Sequence, residues 1–70
     1  MPLSLAEIGV PYTIVRIAGK EKERHHLAEL GLVAGEVLVV ISKFNHYILL
    51  NIKGSRIGIG EELGRKVILK

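Results

Sequence analysis

The chain has seventy residues, a net charge of +3, 49% hydrophobic content and a mean hydropathy of +0.36. That is one domain, 1–70, near the length at which a single core just suffices. With no cysteine it has no disulfide framework or thiolate metal site, and Lys and Arg interleave with Glu instead of forming the concentrated stripe of a nucleic-acid binder.

No apolar run approaches the ~20 residues of a membrane-spanning helix. The N-terminus also lacks a charged start with an apolar signal core, so the chain is expected in the cytoplasm.

In chain order, Ser4 and Glu7 have the spacing of a capping box for one helical turn that Gly9 ends. Residues 12–18 are rich in strand formers without clean alternation, which predicts a strand with a bulge or two-sided burial. Gly19 ends it and is the expected N-cap of a helix over 20–30. Leu27 and Leu30 share a face of that helix. Gly31 stands where a helix commonly stops in a left-handed residue, and Leu32 where such a stop folds an apolar side chain back onto Leu27. Gly35 supplies a tight turn into a strand over 36–43. A reversal at Phe44-Asn45-His46 leads to a strand over 47–53, then Gly54-Ser55 turns the chain into 56–60. A short turn at 61–64 precedes a last strand over 65–70. About five short strands with tight turns imply an all-β fold, a small closed or nearly closed barrel.

Side chains able to do chemistry are sparse. Ser4, Thr13, Ser42 and Ser55 stand isolated, and no glycine pattern matches a phosphate loop or dinucleotide fingerprint. Glu61 and Glu62 are adjacent on a turn, so they point apart and make no acid–base pair. The chain therefore reads as non-enzymatic. Glu21, His25 and Glu29 are spaced four apart on one helix face, a plausible ligand set for a divalent metal. The same spacing simply stabilises a solvated helix, and that reading is preferred. No cofactor is expected beyond, at most, weakly held divalent iron or another transition metal. Phe44 and Tyr47, with Lys43 and His46, are better read as a hairpin staple than as a base-stacking platform.

The strand over 36–43 is apolar on both faces. If Val37, Val39 and Ile41 point inward, as Ile48, Leu50 and Ile52 do on the returning strand, then Leu38, Val40, Leu49 and Ile68 are left outside. Either the helix corner and the N-terminal turn cover them, or they form a docking or self-association surface.

The run Arg24, Leu27, Glu29, Leu30, Gly31, Leu32, Gly35 and Val37 resembles the FeoA family, with Ala34 where that family usually has Pro. The likeness continues in Leu5-Ala6-Glu7 with Gly9. It also covers Gly54-Ser55-Arg56-Ile57-Gly58-Ile59, Leu63-Gly64 and Val67-Ile68, with Gly58 and Gly64 where Ala is common. The resemblance implies an SH3-like barrel with a helix inserted after the first strand. It further implies a small cytoplasmic accessory protein of ferrous iron uptake whose partner is the FeoB-type membrane permease with its GTPase domain. The docking corner is expected at Arg24, Leu27, Leu30, Gly31 and Leu32, extended by Leu38, Val40 and Leu49. The alternatives are an SH3-like or Sm-like nucleic-acid-binding protein, or a small metal sensor or chaperone using His25 and Glu29.

Overall fold

The computed structural model describes residues 1–70. Five antiparallel strands form one curled sheet in the order β4-β3-β2-β1-β5. They are β1 (Pro11–Ile17), β2 (Val37–Phe44), β3 (Tyr47–Ile52), β4 (Ser55–Gly60) and β5 (Val67–Leu69). Helix α1 (Glu21–Glu29) is inserted between β1 and β2, and the single turn α2 (Glu61–Gly64) joins β4 to β5.

β1 is the pivot of the curl. Pro11, Tyr12 and Thr13 pair with β2, whereas Ile14, Arg16 and Ile17 pair with β5. The register slips between Ile14 and Arg16, which is the bulge expected from the irregular apolar pattern. One strand thus serves both sides of the sheet and bends it into an SH3-like barrel, open between β4 and β5.

Both hairpin turns have two residues of positive φ, Asn45-His46 at 47° and 61° and Lys53-Gly54 at 52° and 74°. Such turns match the natural twist of the strands they join. The second turn lies one residue before the expected Gly54-Ser55, because Ser55 already pairs with Ile52.

Two helix starts differ from expectation. Ser4 does not cap a helix; it lies inside a 3-10 turn over Leu3–Leu5 that follows Pro2. The Glu7 N–H goes instead to the Tyr12 hydroxyl at 3.1 Å. Lys20, not Gly19, is the N-cap of α1, and Glu23 Oε1 accepts its backbone N–H at 3.1 Å. A lysine side chain has no acceptor, so what Lys20 offers the first turn is its carbonyl, which accepts the Arg24 N–H at 3.0 Å.

The core comprises thirteen buried apolar residues, among them Leu3, Ile14, Leu27, Leu32, Leu50, Val67 and Leu69. Leu38 and Val40 also belong to it, which reverses the expected facing of β2. Cross-strand partners point the same way, and Leu38 pairs with Ile52 while Val40 pairs with Leu50. Because β3 directs Ile48, Leu50 and Ile52 inward, its partners on β2 follow. Val37 is turned outward beside Thr13, and Val39 beside Pro11 and Asn51. Ile41 is the extra residue of a bulge between Val40 and Ser42.

Candidate functional site

The helix stop has the geometry its sequence predicts. Gly31 takes φ +96°, its N–H donates to the Ala28 carbonyl at 2.9 Å, and the Leu32 N–H reaches back to the Leu27 carbonyl at 3.0 Å. This is a Schellman ending, and it drives the Leu27 and Leu32 side chains into the core. Both leucines shape the corner from inside and present no surface to a partner. Arg24 is exposed, Leu30 and Gly31 are half-buried, and exposed Val33 follows them.

The outer face of the sheet carries the larger apolar surface. Val37, Val39 and Ile41 run along β2, with Leu49 across from the bulge on β3. Val37 is 51% exposed, and Val39, Ile41 and Leu49 are half-buried. Phe44 and Tyr47 close the β2–β3 hairpin, rings tilted 53° with centroids 6.3 Å apart, and both remain about half exposed. They act as the expected staple. Tyr47 also leans over Gly58, where an added Cβ would collide with the ring.

Of the three residues expected to extend the docking surface, only Leu49 faces outward; Leu38 and Val40 are fully buried. Their place is taken by Val37, Val39 and Ile41, the set expected in the core. The signal that separates the two sets is the cross-strand partner, since a continuous apolar run has no parity of its own.

The polar face of α1 does not close around a point. His25 Nε2 lies 3.6 Å from Glu29 Oε1, both side chains being well exposed. Glu21, His25 and Glu29 assemble no three-ligand cluster, and no other His, Cys, Asp or Glu side chains in the chain do so. The consequential carboxylate of α1 is Glu23, which no local spacing singles out. Its Oε2 accepts from Lys66 Nζ at 2.6 Å, tying the helix start to the approach to β5. That bond, then the Lys20 backbone N–H, holds the Glu23 carboxyl below its ordinary pKa of 4.5.

A shallow cleft of about 380 Å³ opens beside α2, lined by His46, Gly60, Glu61, Glu62, Leu63 and Arg65. Glu61 is already engaged there, by Arg65 Nη2 at 2.8 Å and by His46 Nδ1 at 3.6 Å. At the cleft Glu61 is therefore tied up in an internal ion pair, while Glu62 stands exposed and unpaired.

Residues 1–70 match the FeoA domain model. The fold superimposes on the crystal structure of an iron uptake regulatory protein (FeoA) with TM-score 0.93 and 28% identity, over 100% of this chain and 95% of that one. A FeoA-like protein from Clostridium acetobutylicum gives TM-score 0.90 and 18% identity over 100% and 84% of the two chains. The fold also recurs in a manganese-dependent transcriptional repressor, with TM-score 0.93 and 18% identity, where this whole chain spans 35% of that protein. The last two likenesses are of fold alone. No functionally curated protein matches the sequence. The match along its full length, joined to the helix stop and barrel just described, makes this chain a member of the FeoA domain family, a family linked to ferrous iron uptake.

Proposed function

We propose that this protein is a non-enzymatic, cytoplasmic accessory factor of ferrous iron uptake that docks on the FeoB-type membrane permease and assists or regulates it. The observation that carries this reading is the apolar outer face of Val37, Val39, Ile41 and Leu49, continued by Phe44 and Tyr47. Small monomeric domains seldom leave such a continuous apolar strip in water, and its burial against another protein is favourable by roughly 25 cal/mol per Å². Asn51 and Arg56 border the strip, giving the polar rim that protein interfaces usually have. The Arg24–Leu30–Gly31 corner is the second contact in this proposal. No resident metal takes part, and His25 and Glu29 serve as a solvated helix pair.

Co-purification tests the proposal. Tagged wild-type protein is expected to retain the permease from solubilised membranes of its own cells. A Val37→Asp/Leu49→Asp variant that keeps its circular dichroism spectrum is expected to lose it. Equal recovery by the folded variant would refute docking through this face.

A further inference from the structure

The two edges of the sheet differ. β5 is sealed by the N-terminus: the Met1 amine donates to the Leu69 carbonyl at 2.6 Å, the Leu69 N–H returns to Met1 at 2.6 Å, and Pro2 bridges to Ile68. β4 has no strand on its far side, and no turn, loop or cap hydrogen bond reaches its backbone. The two-residue turn at Lys53-Gly54 makes Ile52 and Ser55 a hydrogen-bonded pair, so bonding to β3 alternates along the ladder through Ser55, Ile57 and Ile59. The Glu61 N–H donating to the His46 carbonyl at 2.8 Å continues that alternation. The N–H groups of Arg56, Gly58 and Gly60 therefore point to the open edge.

Natural edge strands usually protect themselves with proline, a bulge, several charges or shortness. β4 is six residues long, has no register shift against β3, and carries one charged side chain, Arg56.

We propose that the open edge of β4 pairs antiparallel with β4 of a second copy of this chain, about a two-fold axis at Gly58. The charge order of the strand selects this occupant. Lys53 and Arg56 lie at its start and Glu61 and Glu62 just past its end. Antiparallel pairing centred on Gly58 sets Arg56 opposite Gly60 of the second copy, within reach of its Glu62. Neither Arg56 nor Glu62 has an ion-pair partner within one chain. Parallel pairing would bring like charges together at both ends.

The backbone fits the same register. Gly58 exchanges two hydrogen bonds with its symmetry mate, and the Gly60 N–H of each copy donates to the Arg56 carbonyl of the other. On the inner face, half-buried Ile57 meets Ile59 of the second copy. The interface is isologous, so it closes as a dimer and does not propagate. It lies at the sheet edge, and the outer face remains free.

Gly60→Pro is the decisive variant. Gly60 has φ −68°, no atom lies within 4 Å of its Cβ position, and its N–H does not serve β3. Proline is thus compatible with the fold, yet it removes an edge donor and places a ring on the edge. Sedimentation velocity over a concentration series is expected to show a wild-type dimer that Gly60→Pro weakens at least tenfold, with the thermal midpoint kept or raised. Arg56→Glu is expected to weaken it as well, and Arg56→Glu/Glu62→Arg to restore it. Amide exchange at Arg56, Gly58 and Gly60 should slow as concentration rises. A wild-type protein that stays monomeric at every concentration overturns the proposal, even if β4 accepts a strand from another protein. So does a dimer indifferent to Gly60→Pro, or a charge swap that fails to restore association.

Discussion

The Leu32 N–H donates to the Leu27 carbonyl at 3.0 Å across Gly31, and both leucine side chains are completely buried. One backbone bond therefore fixes where the helix ends, which way the chain leaves it, and which two side chains the barrel receives from that corner. The entry into β2 is set close by: the Gly35 N–H donates to Ile14 and the Ile14 N–H to Glu36, each at 2.8 Å.

Gly31→Ala measures the cost of that corner. No atom lies within 4 Å of the added Cβ, so the penalty is one of backbone conformation alone at φ +96°. A loss of about 1–2 kcal/mol is expected, visible as a lower urea midpoint with an unchanged slope. An unchanged midpoint would show that the corner tolerates a right-handed stop.

Gly64 raises a packing question of a different kind. A Cβ there would lie 2.6 Å from Ile48 Cδ1, inside the core. Gly64→Ala alone is expected to destabilise by about 1–2 kcal/mol, because overpacking outweighs the gain in helix propensity. Ile48→Val removes the colliding methyl, so the double variant should be more stable than the sum of the singles by about 1 kcal/mol. Simple additivity in urea titrations would mean that the two side chains do not compete for that space.

Glu23 predicts a pH dependence. Its carboxyl is held below 4.5 by Lys66 and by the Lys20 N–H. A depressed folded-state pKa means that the unfolded chain binds protons first, so this contribution is complete above about pH 4.5 and is lost as pH falls through the lower folded-state value. Glu23→Gln should flatten the acid side of the stability curve and leave the slope above pH 6 unchanged. Thermal melts of both proteins from pH 3 to 7 check it, and parallel curves would contradict it.

The facing of β2 is tested by contrasting two leucines. Leu38→Ala is expected to cost about 2–5 kcal/mol, as other buried truncations do. Leu49→Ser, on the half-buried outer face, should cost under about 1 kcal/mol. Equal losses in chemical denaturation would mean that both faces of the sheet are buried.

Much of this was legible from residue order. The helix stop at Leu30-Gly31-Leu32, the two hairpins, the bulged first strand and the five-strand barrel all rest on local signals, where spacing or a special φ names the residue type. The facing of Leu38 and Val40 was not legible, because five successive apolar residues from Val37 to Ile41 carry no period. Only pairing with Leu50 and Ile52, and the bulge that absorbs Ile41, decides it. The Ser4–Glu7 spacing misled for a similar reason: tertiary contact with Tyr12 took the Glu7 N–H that a local cap would have used. Glu23, rather than Glu21, mattered because its partner Lys66 is 43 residues away.

The proposed docking of the outer face on the permease is tested most directly by calorimetry. Calorimetric titration of the solubilised FeoB-type permease with this protein is expected to give saturable 1:1 binding. Val37→Asp should weaken it at least tenfold, while His25→Ala, on the exposed helix face, leaves it unchanged. No heat with wild-type protein, or a loss caused by His25→Ala and not by Val37→Asp, would contradict it.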